Sequence, residues 1–269
     1  FHPGSVAVVG ASRDPSSIGY RILESLVRHP FNGPVYAVTP SAEHVLSMRA
    51  YPSLEAVGEA VDLAVVAVPA ASVAGVVADC GRMGVRAVVV VSAGFSEAGG
   101  AGRSREVEVA EIARASGMRL LGPNCMGLVH TDPEVRLNAS FARVMPAPGT
   151  VALCSQSGAL AVAILAQARR LDLGLSSFVS IGNAADVSGD DLLEYWEDDD
   201  RTRVILLYLE SLGDARRFAR LARRVSRSKP VVMVRSGRSA AGRRVAGPHA
   251  VAPVVSQRAV ESLFRQTGV

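Results

Sequence analysis

The sequence predicts an α/β protein that folds as two parallel-sheet domains, and three observations support this prediction. Short runs of Val, Ala and Leu alternate with helical patterns along the whole chain. Hydrophobic residues make up 49% of the chain and aromatic residues only 5%, so the cores consist mainly of small aliphatic side chains, as in buried parallel sheets. The 269 residues are enough for two domains of medium size.

The first half of the chain has the order of elements that is typical of a Rossmann-like sheet. Apolar runs predict strands at residues 5–10, 34–38, 62–68, 86–92 and 118–121. Helical patterns lie between them at residues 18–29, 53–59, 71–83 and 103–116. Because helices alternate with the strands, we expect the strands to run parallel.

A stretch rich in Pro, Asn and Thr, residues 122–149, is predicted to be irregular and separates this unit from a second alternating one. Strands are predicted there at residues 150–154, 175–180, 203–209 and 230–235. Helices are predicted at residues 158–170, 189–197, 214–227 and 254–266. The second unit is flavodoxin-like in size and rhythm, so we divide the chain into domains of residues 1–147 and 148–269.

Two predicted strands end in a small-residue turn that leads directly into a helix. The first turn follows Gly10, and the second follows the strand at residues 150–154. Unpaired N–H groups and the positive end of the helix dipole make such a turn a ready site for an anion. The residues of the first turn with hydroxyl or guanidinium donors are Ser12, Arg13, Ser16 and Ser17. The second turn, which opens into the other helix, consists of Ser155, Gln156, Ser157 and Gly158. A generic helix-capping turn is the alternative for the first of them.

The first turn lacks the pattern of a nicotinamide-binding unit. Such a unit has closely spaced glycines and an acidic residue at the end of its second strand. Here Gly10 and Gly19 are far apart, and the second strand ends in Thr39 and Pro40 without a carboxylate. We therefore expect a phosphorylated nucleotide other than NAD.

Composition excludes several classes of partner. The net charge is +4, and arginines concentrate at residues 216–227, which we interpret as a solvated helix face, with an acidic ligand or nucleic acid as the alternatives. No motif with interleaved aromatic residues accompanies them, so we expect no nucleic-acid partner. Apolar runs are far shorter than the roughly 20 residues that span a bilayer, so we expect no membrane segment.

The cysteines indicate a reducing compartment. Cys80, Cys125 and Cys154 are odd in number and scattered, so we expect no disulfide framework and a cytoplasmic protein. No Cys/His cluster has metal-binding spacing, and the acidic run at residues 194–200 is interpreted as a helix end rather than a metal site.

The chain starts at Phe1 rather than Met, so we expect it to be part of a longer protein.

Seven short segments, taken together and in order, resemble a known family. They lie at residues 6–12, 38–40, 68–70, 92–95, 122–125, 155–158 and 208–210. The family is that of the nucleoside-diphosphate-forming (NDP-forming) acyl-CoA synthetases, which includes the α subunit of succinyl-CoA ligase. The resemblance extends over essentially all 269 residues. It implies a CoA-binding domain followed by a ligase flavodoxin-like domain.

The resemblance implies how the first domain binds CoA or acyl-CoA. The turn from Gly10 to Ser17, together with Thr39 and Pro40, would hold the phosphates and the adenosine. Residues after the third and fourth strands would line the path of the pantetheine arm, namely Pro69, Ser92, Ala93, Gly94 and Phe95. These positions agree with the rule that ligands bind at the carboxyl ends of parallel strands. The alternative is that Pro69 and Gly94 only terminate strands.

Residues 122–125 would lie beside the thiol end of CoA, which makes Asn124 a candidate contact. Asn124 could equally bond backbone groups within a turn. We assign Cys125 a structural role, because no neighbour in sequence would lower its pKa enough to make it a nucleophile.

In the second domain the resemblance implies a phosphohistidine. His249 follows the last strand, where the family has this residue, and Glu210 occupies the place of the carboxylate that orients it. The helix start at residues 155–158 would neutralise the phosphate. Pro248 and Pro253 depart from the small residues that the family has here and leave open that His249 is an ordinary surface residue. The other four histidines are expected at the surface.

The implied reaction makes an acyl-CoA from a carboxylate, CoA and ATP, with release of ADP and phosphate. ATP and Mg²⁺ would bind to an ATP-grasp domain in another segment or chain, and a homo-oligomer is expected. The alternative is a catalytically decayed sensor of CoA or acyl-CoA, attached to a lysine acetyltransferase of the GNAT type.

Overall fold

The structure, a computed structural model, describes residues 1–235 and 263–269. These residues form two mostly parallel sheets flanked by helices. The predicted fold class, an α/β protein with a Rossmann-like sheet followed by a flavodoxin-like one, is confirmed.

The first sheet has seven strands in the order β3-β4-β2-β1-β5-β6-β7. Its strands are β1 (Val6–Val9), β2 (Val35–Val38), β3 (His44–Val45), β4 (Met48–Tyr51), β5 (Leu63–Val66), β6 (Ala87–Val90) and β7 (Arg119–Leu121). Its helices are α1 (Ile18–Arg28), α2 (Ala70–Arg82) and α3 (Gly100–Ala115). Strands β1, β5 and β6 are almost entirely Val and Ala and nearly fully buried, as expected for a sheet covered on both faces.

The second sheet has six strands in the order β13-β12-β10-β11-β8-β9. Its strands are β8 (Gly127–His130), β9 (Leu137–Ser140), β10 (Pro148–Ser155), β11 (Leu175–Ser180), β12 (Val204–Leu209) and β13 (Val231–Arg235). Its helices are α4 (Gly158–Arg170), α5 (Gly189–Asp198) and α6 (Ala215–Val225). Residues 263–267 are also helical, and the rest of the helix predicted at residues 254–266 lies outside the described residues.

Two stretches differ from the sequence prediction. The stretch at residues 122–149, predicted to be irregular, contains β8 and β9. Strand β8 pairs antiparallel with β11, and β9 pairs antiparallel with β8. Their short length and polar residues hide the strand pattern, and pairing with the edge of the second sheet satisfies their backbone groups. Residues 53–59, predicted to be helical, hold only a short 3-10 turn at Glu55–Val57, after the small hairpin of β3 and β4. The domain boundary after residue 147 stays a prediction.

The arginines of α6 are not simply a solvated face. Arg217 donates to Asp191 and Glu194 of α5, at 3.1 and 3.2 Å, and Arg224 donates to Glu197. The acidic run at residues 194–200 spans the end of α5, as predicted, and it lies against this basic helix.

Among the described residues, no helix is long and apolar enough to cross a lipid bilayer.

Candidate functional site

A cleft of about 790 Å³ lies between the two sheets, where the carboxyl ends of several strands meet. The first domain contributes residues after β6 and β7, and the second contributes residues after β10, β11 and β12. The predicted site residues that line it are Ala93, Asn124, Gln156, Ser157, Gly158 and Glu210. The cleft therefore brings the predicted thiol end of CoA and the predicted phosphate site to one place.

The start of α4 forms one wall of the cleft. The Ser157 hydroxyl caps the helix by accepting a hydrogen bond from Leu160 N at 3.4 Å. Buried Ser155 donates its hydroxyl to the carbonyl of Ser157 at 2.8 Å, which shapes the turn before the helix. The first N–H groups of α4 and the positive end of its dipole thus face the cleft, as an anion site requires.

Gln156 joins this helix start to the end of β12. Its Oε1 accepts hydrogen bonds from the backbone N–H groups of Glu210 at 2.8 Å and of Ser211 at 3.1 Å. Its own N–H donates to Tyr208 O at 2.9 Å. Half-buried Glu210 is therefore held beside the helix start, in the cleft. His249, the predicted nucleophile, lies outside the described residues.

The turn after β1 has the close packing that an approach to phosphate needs. Gly10 has a positive φ of 93°, and a Cβ at Gly19 would lie 2.0 Å from the carbonyl oxygen of Gly10. The two glycines therefore let α1 begin directly against the turn, although they are far apart in sequence. Arg13 is exposed beside this helix start.

Asp14, which the sequence interpretation passed over, engages most of the predicted hydroxyl donors of this turn. It accepts hydrogen bonds from the N–H and the hydroxyl of Ser16, which lower the pKa of its carboxyl. Ser17 caps α1 and donates its hydroxyl to Asp14 O at 2.8 Å, and Ser12 accepts from Asp14 N at 3.1 Å. These hydroxyls thus make hydrogen bonds within the turn. Arg13 is the predicted phosphate ligand of this turn that carries a positive charge.

The other predicted CoA residues lie at the carboxyl ends of β2, β5 and β6. Thr39 is buried and Pro40 exposed after β2, and exposed Pro69 precedes α2. Buried Ser92 donates its hydroxyl to Val68 O, and its carbonyl accepts from Asn124 N at 3.0 Å. Of these residues only Ala93, next to Ser92, lines the cleft.

A polar network crosses the cleft at Asn183, which follows β11. Its side-chain nitrogen lies 2.6 Å from a carboxylate oxygen of Glu97, 2.6 Å from one of Glu106 and 3.1 Å from Ser96 Oγ. Its side-chain oxygen accepts from Asn124 Nδ2 at 3.3 Å. Burial alone would raise the pKa of Glu97, but hydrogen bonds from Asn183 and from backbone N–H groups outweigh it and lower that pKa.

Sequence reasoning missed Asn183, Glu97 and Glu106, although a signal for the first was present. Asn183 follows a predicted parallel strand at its carboxyl end, which is where ligands bind in parallel sheets. Nothing in the sequence indicates that Glu97 and Glu106 meet it, because 86 and 77 residues separate them from Asn183.

Cys125 borders the cleft but is buried, and its thiol lies 3.4 Å from Val90 O. Burial raises the pKa of this thiol to about 12, so it stays protonated at neutral pH. This agrees with the structural role expected for it.

His130 is fully buried, contrary to the expectation of a surface residue, because β8 joins the second sheet. Candidate ligand atoms of His2, His130 and Asp132 lie within 4.8 Å of one another. The guanidinium of Arg201 lies 3.5 Å from the Asp132 carboxylate and opposes a cation there. We therefore assign no metal to this cluster.

Comparison with known proteins gives two family models that together account for most of the chain. A CoA binding domain matches residues 4–131, and a succinyl-CoA ligase like flavodoxin domain matches residues 148–269. The ADP-forming acetate–CoA ligase I of Archaeoglobus fulgidus is 44% identical over 100% of this chain and 39% of its own length. The α subunit 2 of the ADP-forming succinate–CoA ligase of the same organism is 31% identical over 74% of this chain and 68% of its own length.

A solved structure shows the same fold. It is acetyl-coenzyme A synthetase 1 of Ca. Korarchaeum cryptofilum in complex with phosphate and ADP, which is 40% identical and superposes with a TM-score of 0.93. The match covers 100% of this chain and 57% of the korarchaeal one. This chain thus spans about two fifths of the A. fulgidus acetate–CoA ligase and somewhat over half of the korarchaeal chain. The matched domains, their order and these relatives together show that the chain belongs to the NDP-forming acyl-CoA synthetase family, which includes the α subunit of succinyl-CoA ligase.

Proposed function

We propose that this chain is the CoA-binding and phosphohistidine-bearing part of an ADP-forming acyl-CoA synthetase. The observation that carries the proposal is the cleft, where the loops after β6 and β7 of the CoA-binding domain face the start of α4 in the ligase domain. The first pair of loops would hold the thiol end of CoA. The helix start would hold a phosphate, since backbone N–H groups and the helix dipole both favour an anion there.

His249 would carry that phosphate. A neutral imidazole nitrogen attacks a phosphoryl group readily, and the phosphoramidate that forms is labile enough to pass it on. Glu210 would accept a hydrogen bond from Nδ1–H, which fixes the tautomer of the ring and leaves Nε2 free to attack. The phosphoryl group would then move to the carboxylate substrate, and the CoA sulfur would attack the acyl phosphate, releasing phosphate and acyl-CoA.

The nucleotide step needs a part that this chain does not include. Relatives such as the A. fulgidus acetate–CoA ligase are much longer than the matched segment. We propose that an ATP-grasp domain, in the same polypeptide or in a partner subunit, binds ATP and Mg²⁺ and phosphorylates His249. We further propose that the carboxylate substrate is small, because these relatives are named for acetate and acetyl-CoA.

The first test is the choice of nucleotide ligand. We expect titration calorimetry to show binding of CoA or acetyl-CoA and none of NADH, because Thr39 and Pro40 follow β2 at the position where a nicotinamide-binding unit has an acidic residue. Desulfo-CoA is the control for the thiol and should still bind through its phosphates. Binding of NADH without any response to CoA would overturn the CoA assignment.

Arg13 is expected to contact a phosphate of CoA. A guanidinium can bond a phosphate with two parallel hydrogen bonds, and Arg13 is exposed beside the start of α1. Arg13→Ala should weaken CoA binding by about 1–3 kcal/mol, the range for hydrogen bonds to charged groups. Arg82→Ala, on the exposed end of α2, is the matched control and should leave the dissociation constant unchanged. Equal dissociation constants for Arg13→Ala and the wild type would assign the phosphates to another place.

A further inference from the structure

Asn183 connects the two domains at the cleft, where the proposed reaction needs the CoA thiol and the phosphate site close together. Its side-chain nitrogen has two protons but lies within hydrogen-bond distance of three acceptors, all from the first domain. Two of these acceptors are carboxylate oxygens, of Glu97 and Glu106, each at 2.6 Å. The backbone of Asn183 adds a bond from its N–H to Pro123 O at 2.9 Å.

Glu97 extends this contact to the loop after β6. Its other carboxylate oxygen accepts hydrogen bonds from Gly94 N at 2.6 Å and Phe95 N at 3.1 Å. Gly94 has a positive φ of 104°, and its carbonyl accepts from Arg105 at 3.1 Å. The conformation of this loop therefore depends on Glu97, and the orientation of Glu97 depends on Asn183.

Glu106, which lies on α3, also forms hydrogen bonds with this loop. Its Oε2 accepts from the N–H of Ser96 at 3.2 Å and from the Ser96 hydroxyl at 2.8 Å, in addition to Asn183. Two carboxylates thus converge on one amide group. Bringing two negative charges together is unfavourable unless a donor lies between them, and the amide of Asn183 is the donor that the second domain supplies.

We propose that Asn183 is a positioning residue that fixes the loop of residues 92–97 relative to the start of α4, and so sets the distance between the CoA thiol and the phosphorylated site. This inference rests on the proposed function for its catalytic consequence. The contact itself does not, because it can be measured without substrate. Asn183 acts through Glu97 and Glu106 and is not assigned a contact with the reacting atoms.

Asn183→Asp tests the donor directly, because it keeps the size of the side chain and removes its protons. A third carboxylate would then face Glu97 and Glu106, and repulsion would raise the pKa of the introduced carboxyl in the folded protein. A carboxyl whose pKa is raised on folding contributes stability at low pH and loses it as pH rises. The defect of this variant should therefore be small near pH 5, where a bound proton replaces the amide hydrogen, and large near pH 8.

The reciprocal double variant Glu97→Gln/Asn183→Asp should restore the contact. The amide nitrogen introduced at position 97 would donate to the carboxylate introduced at position 183, while the amide oxygen at position 97 still accepts from Gly94 and Phe95. The new carboxylate would still accept from Asn124. Because its repulsion with Glu106 remains, the double variant should lie between Asn183→Asp and the wild type in both protection and kcat.

The experiment uses the complete protein, with its nucleotide-binding part. Hydrogen-exchange protection of Gly94 and Phe95 and kcat for acetyl-CoA formation from acetate, ATP and CoA are measured at pH 5, 6.5 and 8. For Asn183→Asp at pH 8 we expect both to fall about 10- to 100-fold, the loss of one hydrogen bond to a charged group. The dissociation constant of CoA should rise less than kcat falls, because the first turn, away from Asn183, would hold the phosphates.

Asn32→Asp is the matched control. The Asn32 side chain also donates across the chain, to Glu134 O at 2.9 Å, but it is exposed and lies outside the cleft. It should leave protection and kcat unchanged at every pH.

Two results would overturn the positioning role. One is wild-type protection of Gly94 and Phe95 in Asn183→Asp at pH 8. The other is a loss that does not depend on pH and is not restored by Glu97→Gln, as a general destabilisation would give. If the wild type does not turn over acetate, the proposed substrate is wrong, and the protection factors still decide the role of Asn183.

Discussion

His249→Asn in the complete protein is expected to abolish the transfer of phosphate from ATP to this chain. Asparagine has no basic nitrogen that can attack a phosphoryl group, so no phosphoramidate can form. Loss of a covalent nucleophile lowers kcat by about 10³-fold or more in enzymes where it has been removed. The labelled form of the wild type should be acid-labile and base-stable, as a phosphohistidine is.

The measurement is incubation of the complete protein with radiolabelled ATP and Mg²⁺, followed by acid and base treatment. His44→Asn is the control, because His44 is exposed in the small hairpin of the first sheet. Label that persists in His249→Asn would assign the phosphate to another residue. If the complete wild-type protein never becomes labelled, then the prolines beside His249 mark a loop that has lost its catalytic role, and the sensor alternative is favoured.

Glu210→Gln is expected to give the second largest loss, about 10²-fold in the rate of labelling. A positioned acid–base partner contributes about 10²- to 10⁴-fold to a rate, and the lower end applies to a residue that orients the nucleophile. Glutamine can accept a hydrogen bond from Nδ1 but cannot stabilise the positive charge that develops on the ring. The structure supports the assignment of Glu210, because Gln156 joins the backbone of Glu210 to the start of α4.

Single-turnover labelling with the ATP-grasp part present measures this rate. Glu108→Gln, on the exposed face of α3, makes the same chemical change away from the cleft and should have no effect. A rate for Glu210→Gln equal to that of the wild type would show that another group orients the histidine. Both variants should bind CoA normally, since neither side chain lies among the predicted CoA contacts.

Much of the fold follows from local sequence patterns. The buried runs of Val and Ala at β1, β5 and β6 predict parallel strands, because only a sheet covered on both faces buries such runs. The turn after β1 and the start of α4 are also recognisable from local sequence, because small residues and a capping Ser stand directly before a helical pattern. These features depend on neighbours within one or two turns of the chain.

The strands β8 and β9 could not be predicted in this way. They are short, carry polar residues such as Asn138 and Ser140, and are stabilised by pairing with the edge of the second sheet. His130 becomes buried for the same reason. Strand preference in such a segment is a property of the neighbouring strand rather than of the segment itself.

The sequence by itself determined the fold class, the two helix starts and the family, because each of them depends on short contiguous segments of the chain. Only the tertiary structure decided which strand ends face one another across the cleft, that Asp14 takes up the hydroxyls of the first turn, and that Asn183 lies between Glu97 and Glu106. The physical reason is distance along the chain. Hydrogen bonds and charges act over a few ångströms of space, and residues 86 positions apart come within that range only when both sheets have folded and packed.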